Sequence, residues 1–491
     1  MKILVLGLDC AAPEILLGDE RLGNIRRLMG IGCYGRLESV IPPITVPAWM
    51  CLCTGQDPGS LGVYGFRNRV DRSYDRLKVV DSRSIDALAI WDQVARRGGK
   101  SVLIGVPPNY PPREVNGISV GDFLTPTTAT GAFTHPPGVS DEIRRLVGEY
   151  PVDVKGFRTE DKARLRDEIR AMSRTQFAVV RHFLAAAEWD YFHFVEIGLD
   201  RMHHGFWSHH DPEHARHDPA SPFRDAIRDY YRHLDAEIGA VLDLLGDDTV
   251  VLIASDHGAR RLDGGFCINQ WLVNEGLLVL NRVPDRVTPF AELDVDWDRT
   301  LAWSEGGYSA RVFLNVGGRE PRGAIAPADY ERTRDELKAR LEATADHEGR
   351  PLGTLVFKPE EIYRAVRNVA PDLIVHFGGL AWRSVGGVGY PTVHVFENDT
   401  GPDDCNHAQH GAFVLAAPNN PLSGEVQGAH LLDIAPTLLE LAGHDVPSSM
   451  QGRSLVAGRV GGGAPPDGDG DGDGDGSAAV RDRLSGLGYL G

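Results

Sequence analysis

Five short stretches place a carboxylate, an imidazole or a hydroxyl beside an apolar run. Asp9 directly follows the run 3–8. A carboxylate at the end of a buried strand can ligate a metal, or it can cap a following helix. Thr45 stands in PPITVPAWMCLCTG, residues 42–55. Pro47 suits a first helical turn, so a buried helix over 46–54 would present the Thr45 hydroxyl at a helix N-terminus, where phosphate is favoured. The plainer reading is that Thr45 caps that helix. Asp200 and His204 are four apart in FHFVEIGLDRMHHGFW, residues 192–207. On a helix both point to one face and can share a metal, while His203 faces elsewhere. Asp256 and His257 follow a very apolar run in VVLIASDHG, residues 250–258, where Gly258 permits a tight turn. In CNHAQHGAFVLAAP, residues 405–418, either His407 or His410 can join them, and spacing does not separate the two. Three Asp, two or three His and one Thr suit two divalent metals bridged by a phosphate.

These residues need a scaffold that brings strand ends together. The runs 3–8, 101–106, 191–195, 249–254, 372–376 and 412–416 read as strands, and helical patterns cover 161–187 and 221–245. Alternating helices with nearly continuous apolar strands imply a parallel α/β sheet covered on both faces, with ligands at its carboxyl edge. A chain of 491 residues suits one large domain with insertions, or two domains. A catalytic body is expected over 1–460. Within it, 107–151 is rich in Pro, Gly and Thr and is expected to loop over one edge; 260–371 is expected to form a cap or small subdomain. The low-complexity GGGAPPDGDGDGDGDGS of 461–477 reads as a disordered linker, and it lacks the spaced ligands and closing Glu of a calcium loop. Residues 478–491 form a tail in which 481–490 suit a short docking helix.

The net charge of −18 argues against nucleic acid or an anionic membrane as partner. A small phosphorylated substrate is compatible, because bound metals invert the sign locally. No run of eighteen apolar residues suggests a membrane span. The run 3–8 is shorter than the roughly seven to fifteen residues of a signal-peptide core, so it reads as a buried strand. The six cysteines form no C-x-x-C pair, which fits a reducing cytoplasm.

In their order, Asp, T-x-P, D-x-x-x-H, D-H-G and a late His, the motifs resemble the alkaline phosphatase superfamily, specifically its type I phosphodiesterase and nucleotide pyrophosphatase branch. The resemblance runs from Asp9 to Leu455 and includes LDIAPTLLELAGHDVPSSMQGRSL near the end. It implies an alkaline-phosphatase-like three-layer α/β/α core with a mainly parallel sheet and cap-like insertions. It implies one metal at Asp9, Thr45, Asp256 and His257, and another at Asp200, His204 and His407. His407 is chosen over His410 because the family's His stands four residues before a Gly, here Gly411. Sulfatases carry C/S-x-P-S/A-R. Here Thr45 cannot become formylglycine and Trp49 replaces the Arg, so a sulfatase is disfavoured. Thr in place of Ser leans toward the diesterase branch.

The resemblance thus implies two-metal hydrolysis of small-molecule or head-group phosphoesters, either phosphodiesters or nucleotide pyrophosphates, through a phospho-threonine at Thr45. The alternatives on this fold are a phosphotransferase or mutase, and a phosphomonoester or phosphonate hydrolase. The Asp/His ligand mix suits Zn2+ and also accommodates Mn2+. Asn68, in GVYGFRNR, matches a branch residue that binds a phosphoryl oxygen. The loose local match also allows Phe66, and an Asn here can simply form a turn. Trp49, Trp207 and Trp303 suit an aromatic wall or core packing.

Overall fold

The computed structural model describes residues 1–129, 132–418 and 423–456. The expected linker 461–477, the tail 478–491 and the last residues of the expected catalytic body, 457–460, lie outside the described residues.

The main sheet is built on seven strands: β1 (Lys2–Leu8), β2 (Cys33–Glu38), β3 (Ser101–Ile104), β4 (Gly117–Val120), β5 (Tyr191–Glu196), β6 (Thr249–Ala254) and β7 (His410–Ala416). Their spatial order is β2-β7-β6-β1-β5-β3-β4, and short flanking strands bring the described sheet to ten. Strands β6, β1, β5, β3 and β4 run parallel. β7 lies antiparallel to both β6 and β2. The fold is therefore mixed α/β with a large, mainly parallel central sheet.

β1, β5 and β6 are buried almost throughout because helices cover both faces. β5 shows this directly. The ring of His193 meets Trp49 on the helix Thr45–Thr54, whereas Phe194 meets Phe177 on the helix Lys162–Ala186. Neighbouring strand residues point to opposite faces, so these two helices lie on opposite sides of the sheet. Lys162–Ala186 begins on Asp161, whose carboxylate accepts from the Arg164 N–H. It packs with Gly198–His210 and Ala226–Leu242.

Two expected elements sit differently. The run 372–376 is not in the main sheet. Its strand Leu373–His376 belongs to a four-stranded antiparallel sheet with Ala302–Glu305, Ala310–Leu314 and Leu355–Phe357. A short apolar run buried on both faces reads the same in either sheet. This second sheet lies within the insertion 260–371 and just beyond it, over its own core of residues such as Trp303, Leu314 and Leu337. The insertion 107–151 does more than loop over an edge. It supplies β4 and the strand Thr134–His135, which extend the main sheet, and then the helix Val139–Val147. Among the described residues, no helix is long and apolar enough to cross a membrane.

Candidate active site

Parallel strands end at one edge of a sheet, and an antiparallel strand begins there. That geometry gathers the chemistry. Asp9 follows β1, Asp256 and His257 follow β6, and the helix Gly198–His210 carrying Asp200 and His204 follows β5. His407 precedes β7, whose reversed direction brings its start to the same edge. A two-stranded ribbon, Gly258–Arg261 with Cys405–Ala408, sets Ala259 opposite His407 and lays the His257 and His407 rings together at 3.7 Å. Gly258 serves close approach here and not a tight turn: a Cβ on it would lie 2.1 Å from the His410 carbonyl oxygen.

Thr45 opens the fully buried helix Thr45–Thr54, which ends on Gly55 in the left-handed conformation. The cap position is Ile44, with no side-chain cap bond, so the Thr45 hydroxyl is not used as a cap. Its Oγ1 lies 3.3 Å from His257 Nε2. Asp9 caps nothing either, since the next helix begins after Ala12.

Two groups of buried ligand atoms result. Asp9, Asp256 and His257 form one and Asp200, His204 and His407 the other, with ligand atoms within 4.8 Å of one another in each. His257 Nε2 is 3.1 Å from Asp256 Oδ2 and 3.7 Å from Asp9 Oδ1. Asp200 Oδ1 is 3.3 Å from His204 Nε2 and 3.8 Å from His407 Nε2. Asp9 Oδ1, Asp200 Oδ1, Asp256 Oδ2 and His407 Nε2 have no hydrogen-bond partner despite full burial. Leaving several such atoms bare in one place is costly, and a cation at each group would satisfy them.

The histidines are prepared for this. His204 Nδ1 donates to Asp403 Oδ1 at 2.6 Å, His407 Nδ1 to the Pro43 carbonyl at 2.8 Å, and His257 Nδ1 to the Gly258 carbonyl at 3.1 Å. The bonds of His407 and His257 hold the proton on Nδ1 and turn the Nε2 lone pair inward, as metal-ligating histidines require. Burial opposes the charge on His204, but Asp403 and Asp200 outweigh it and hold that ring well above the usual imidazole range, so a cation there would displace its Nε2 proton. Burial also pulls His257 down to about 4 and His407 well below its usual range, which keeps both rings neutral. Asp9 and Asp256 are pushed well above the carboxylate range, first by burial and then by neighbouring carboxylates. Burial opposes the charge on Asp200 too, but His204 and Arg201 outweigh it and hold it low. Arg201 bridges Asp200 to Asp153, 2.9 Å away.

Some supporting residues were not foreseen. The Trp49 indole N–H donates to Asp9 Oδ2 at 2.7 Å, so this residue braces a ligand at the helix position where a sulfatase carries Arg. Asp403 holds His204 and is itself paired with Arg158 at 3.0 Å. Arg158 also donates to the Tyr308 hydroxyl at 2.8 Å, and that hydroxyl lies 3.3 Å from His204 Nε2. A charged pair DD stands just before Cys405, but nothing in its spacing marks Asp403 over Asp404.

Asn68 is engaged otherwise. Its Oδ1 accepts from the Tyr64 N–H at 2.8 Å and its Nδ2 donates to the Gly65 carbonyl, closing a local turn. Phe66 instead lines the cleft beside Thr45, with Ile44 and Tyr308. His410 is exposed and outside both ligand groups, and buried His203 packs against Trp207 and Tyr231. Trp303 packs in the second core, and Trp207 bonds Asp211 at its helix end.

Known structures share this fold. Phosphonoacetate hydrolase from Sinorhizobium meliloti 1021, in complex with phosphonoacetate, is 15% identical with a TM-score of 0.59, over 90% of this chain and 96% of that one. Murine ectonucleotide pyrophosphatase / phosphodiesterase 5 is 14% identical with a TM-score of 0.50, over 91% of this chain and 96% of that one. Comparison with curated protein sequences gives no match. The fold and the two groups of buried ligand atoms are compatible with a metal-dependent phosphoester hydrolase. The family model for type I phosphodiesterase / nucleotide pyrophosphatase matches residues 3–412, and the chain belongs to that family.

Proposed function

We propose that the protein hydrolyses small phosphodiesters or nucleotide pyrophosphates through a covalent phosphate on Thr45. The observation that carries this reading is the Thr45 hydroxyl at the mouth of a helix, 3.3 Å from an Nε2 whose proton is fixed on the far side of its ring. Asp9, Asp256, His257 and Thr45 would hold one divalent cation; Asp200, His204 and His407 would hold the other. When bound, such a pair acidifies a hydroxyl and neutralises the charge on a phosphoryl group. The all-Asp/His donor set favours Zn2+, with Mn2+ as the second choice.

The chain's own residues then have defined tasks. Thr45 Oγ1 gives up its proton and attacks phosphorus in line; its bond to phosphorus forms as the bond to the leaving oxygen breaks, and that oxygen departs as an alcohol from a diester or as a phosphate from a pyrophosphate. The helix N-terminus behind Thr45 favours the phosphoryl charge. Water next attacks phosphorus, breaks the Thr45 ester and releases the remaining phosphomonoester, and Thr45 Oγ1 takes a proton back from that water. Asp403, Arg201 and Trp49 hold the ligands in register throughout. All six cysteines are buried and outside any disulfide, which supports a reducing compartment, the cytoplasm.

The test is a substrate panel with Zn2+ or Mn2+, comparing bis-p-nitrophenyl phosphate with the monoester. The diester is expected to turn over faster. Thr45→Ala should lower kcat by at least about a thousandfold while retaining two metals per chain. Activity surviving that substitution rules out Thr45 as nucleophile. Transfer of the phosphoryl group to added alcohol in preference to water would favour the phosphotransferase alternative.

A further inference from the structure

The chain is strongly acidic overall, at −18, yet the cleft beside Thr45 is basic. It is an open cleft with about 50 Å³ of free space, lined by Ile44 and Phe66 and by the turn of the second sheet that carries Tyr308. Arg67, Arg158, Arg311 and Arg383 line it against a single carboxylate, Asp399. Three of these guanidiniums are already matched. Arg158 pairs with Asp403 at 3.0 Å, Arg383 with Asp399 at 3.2 Å, and Arg67 with Glu305 at 3.4 Å.

Arg311 differs. It sits on the strand Ala310–Leu314 with 7% of its surface exposed. Among the described residues no carboxylate oxygen comes within 4.0 Å of its guanidinium; the hydrogen bond described for its side chain goes to the Arg67 carbonyl. Glu305 lies opposite Arg311 on the neighbouring strand and works against burial, but that carboxylate is paired with Arg67, so two guanidiniums share one anion. The usual remedy for an under-compensated buried charge is a further anion. Burial lowers Arg311 only to about 10, so it remains cationic at neutral pH. Gly65 lets the backbone pack closely against the guanidinium, since a Cβ there would stand 3.3 Å from Arg311 Nη1.

We infer that this cleft is a subsite for a second anionic group of the substrate, a carboxylate or a phosphate, with Arg311 as its buried ligand. The inference rests on the proposed phosphoesterase reading and narrows it to substrates that carry an acidic group a few bonds from the scissile phosphoryl. A planar guanidinium suits both oxyanions through paired N–H donors.

The test uses the metal-loaded full chain and three p-nitrophenyl phosphodiesters whose second ester group is ethyl, carboxymethyl or phosphonomethyl. The wild type should prefer an acidic ester over ethyl by at least about tenfold in kcat/KM, the scale of one charge-assisted hydrogen bond. The larger gain, carboxymethyl or phosphonomethyl, identifies the natural anion. Arg311→Gln should collapse that ratio toward one, and Arg311→Lys should keep part of it. Because the readout is a ratio within each variant, a general loss of folded protein does not affect it. Hydrolysis of the ethyl ester without any preference for the acidic ones overturns the subsite and leaves the hydrolase reading intact. Failure to hydrolyse any of the three overturns the hydrolase reading itself. A preference that persists unchanged in Arg311→Gln assigns the recognition elsewhere and overturns the role of Arg311.

Discussion

Asp403→Asn should separate the two metal sites. Asp403 Oδ1 accepts the His204 Nδ1 proton at 2.6 Å, while Asp200 approaches the other ring nitrogen at 3.3 Å. Burial opposes the Asp403 charge, but His204 and Arg158 hold the carboxyl well below its usual range, so it is an anion at working pH. The amide keeps the shape and one acceptor but loses the charge that makes His204 a stronger donor to metal. Outer-shell changes of this kind cost about 10–100-fold in metal affinity. The other group has separate braces, the Trp49 indole on Asp9 and the Cys10 N–H on Asp256 at 3.2 Å. Zinc-buffered titration with metal analysis should therefore show one site at wild-type affinity and one shifted by one to two decades in free zinc. The variant also strips Arg158 of its buried partner, which can cost about 3–5 kcal/mol of stability. Arg158→Met breaks that same pair without touching His204. It should lower Tm without the selective zinc loss. If Asp403→Asn loads both zincs like the wild type, or loses both equally, the orientation argument is wrong.

Gly7→Ala should damage a ligand at one remove. Its Cβ would stand 2.5 Å from Trp49 Cη2 and 2.9 Å from Val195 Cγ2, so the indole that braces Asp9 must move. Overpacking of this kind costs about 1–3 kcal/mol, read as a lower midpoint in urea; an unchanged midpoint with unchanged zinc affinity refutes the packing claim. Asp122 gives a pH dependence away from the metals. Burial pushes its carboxyl up to about 7, against the hydrogen bonds it accepts from the Asn109 and Leu124 N–H groups. The native state then binds a proton that the unfolded chain releases near its ordinary pKa of about 4, so stability falls as pH rises from about 4 to 7. Relative to Asp122→Asn, the wild type should lose up to roughly 4 kcal/mol of unfolding free energy across that window. A pH-independent difference between the two proteins contradicts the assignment.

How much of this was legible depended on whether a residue's neighbours were local. Asp9, Asp256 and His257 follow continuous apolar strands, and a strand end is visible in one dimension. Asp200 and His204 share a helix face by spacing alone. Braces were not visible, because they cross long distances: Asp403 reaches His204 over 199 residues and Trp49 reaches Asp9 over 40. In sequence Trp49 marks only the lack of an Arg, whereas in the fold its indole N–H supplies a donor to a carboxylate. Asn68 lies on the short strand Arg67–Arg69 and Phe66 just before it, two residues away, so a small uncertainty in the match exchanges a turn former for a cleft residue. The run 372–376 was misplaced because periodicity reports burial and not which strand lies alongside.

The charges explain why the sheet edge must be built this way. Asp9, Asp200, Asp256 and Asp403 are all buried there. Two of them have a guanidinium in contact: Arg201 on Asp200 and Arg158 on Asp403. Asp9 and Asp256 have only neutral donors, an indole N–H and a backbone N–H. The pole that includes Thr45 therefore has less positive charge built in around it, and its two carboxyls, pushed up by burial and by neighbouring carboxylates, depend on a bound cation to ionise. With cations in place the same carboxylates fix the positive charge at the Thr45 hydroxyl, and the arginine-lined cleft continues that field outward. An acidic chain can thus draw in an anionic ester, because its compensating charge is concentrated at one strand edge and not spread over the surface.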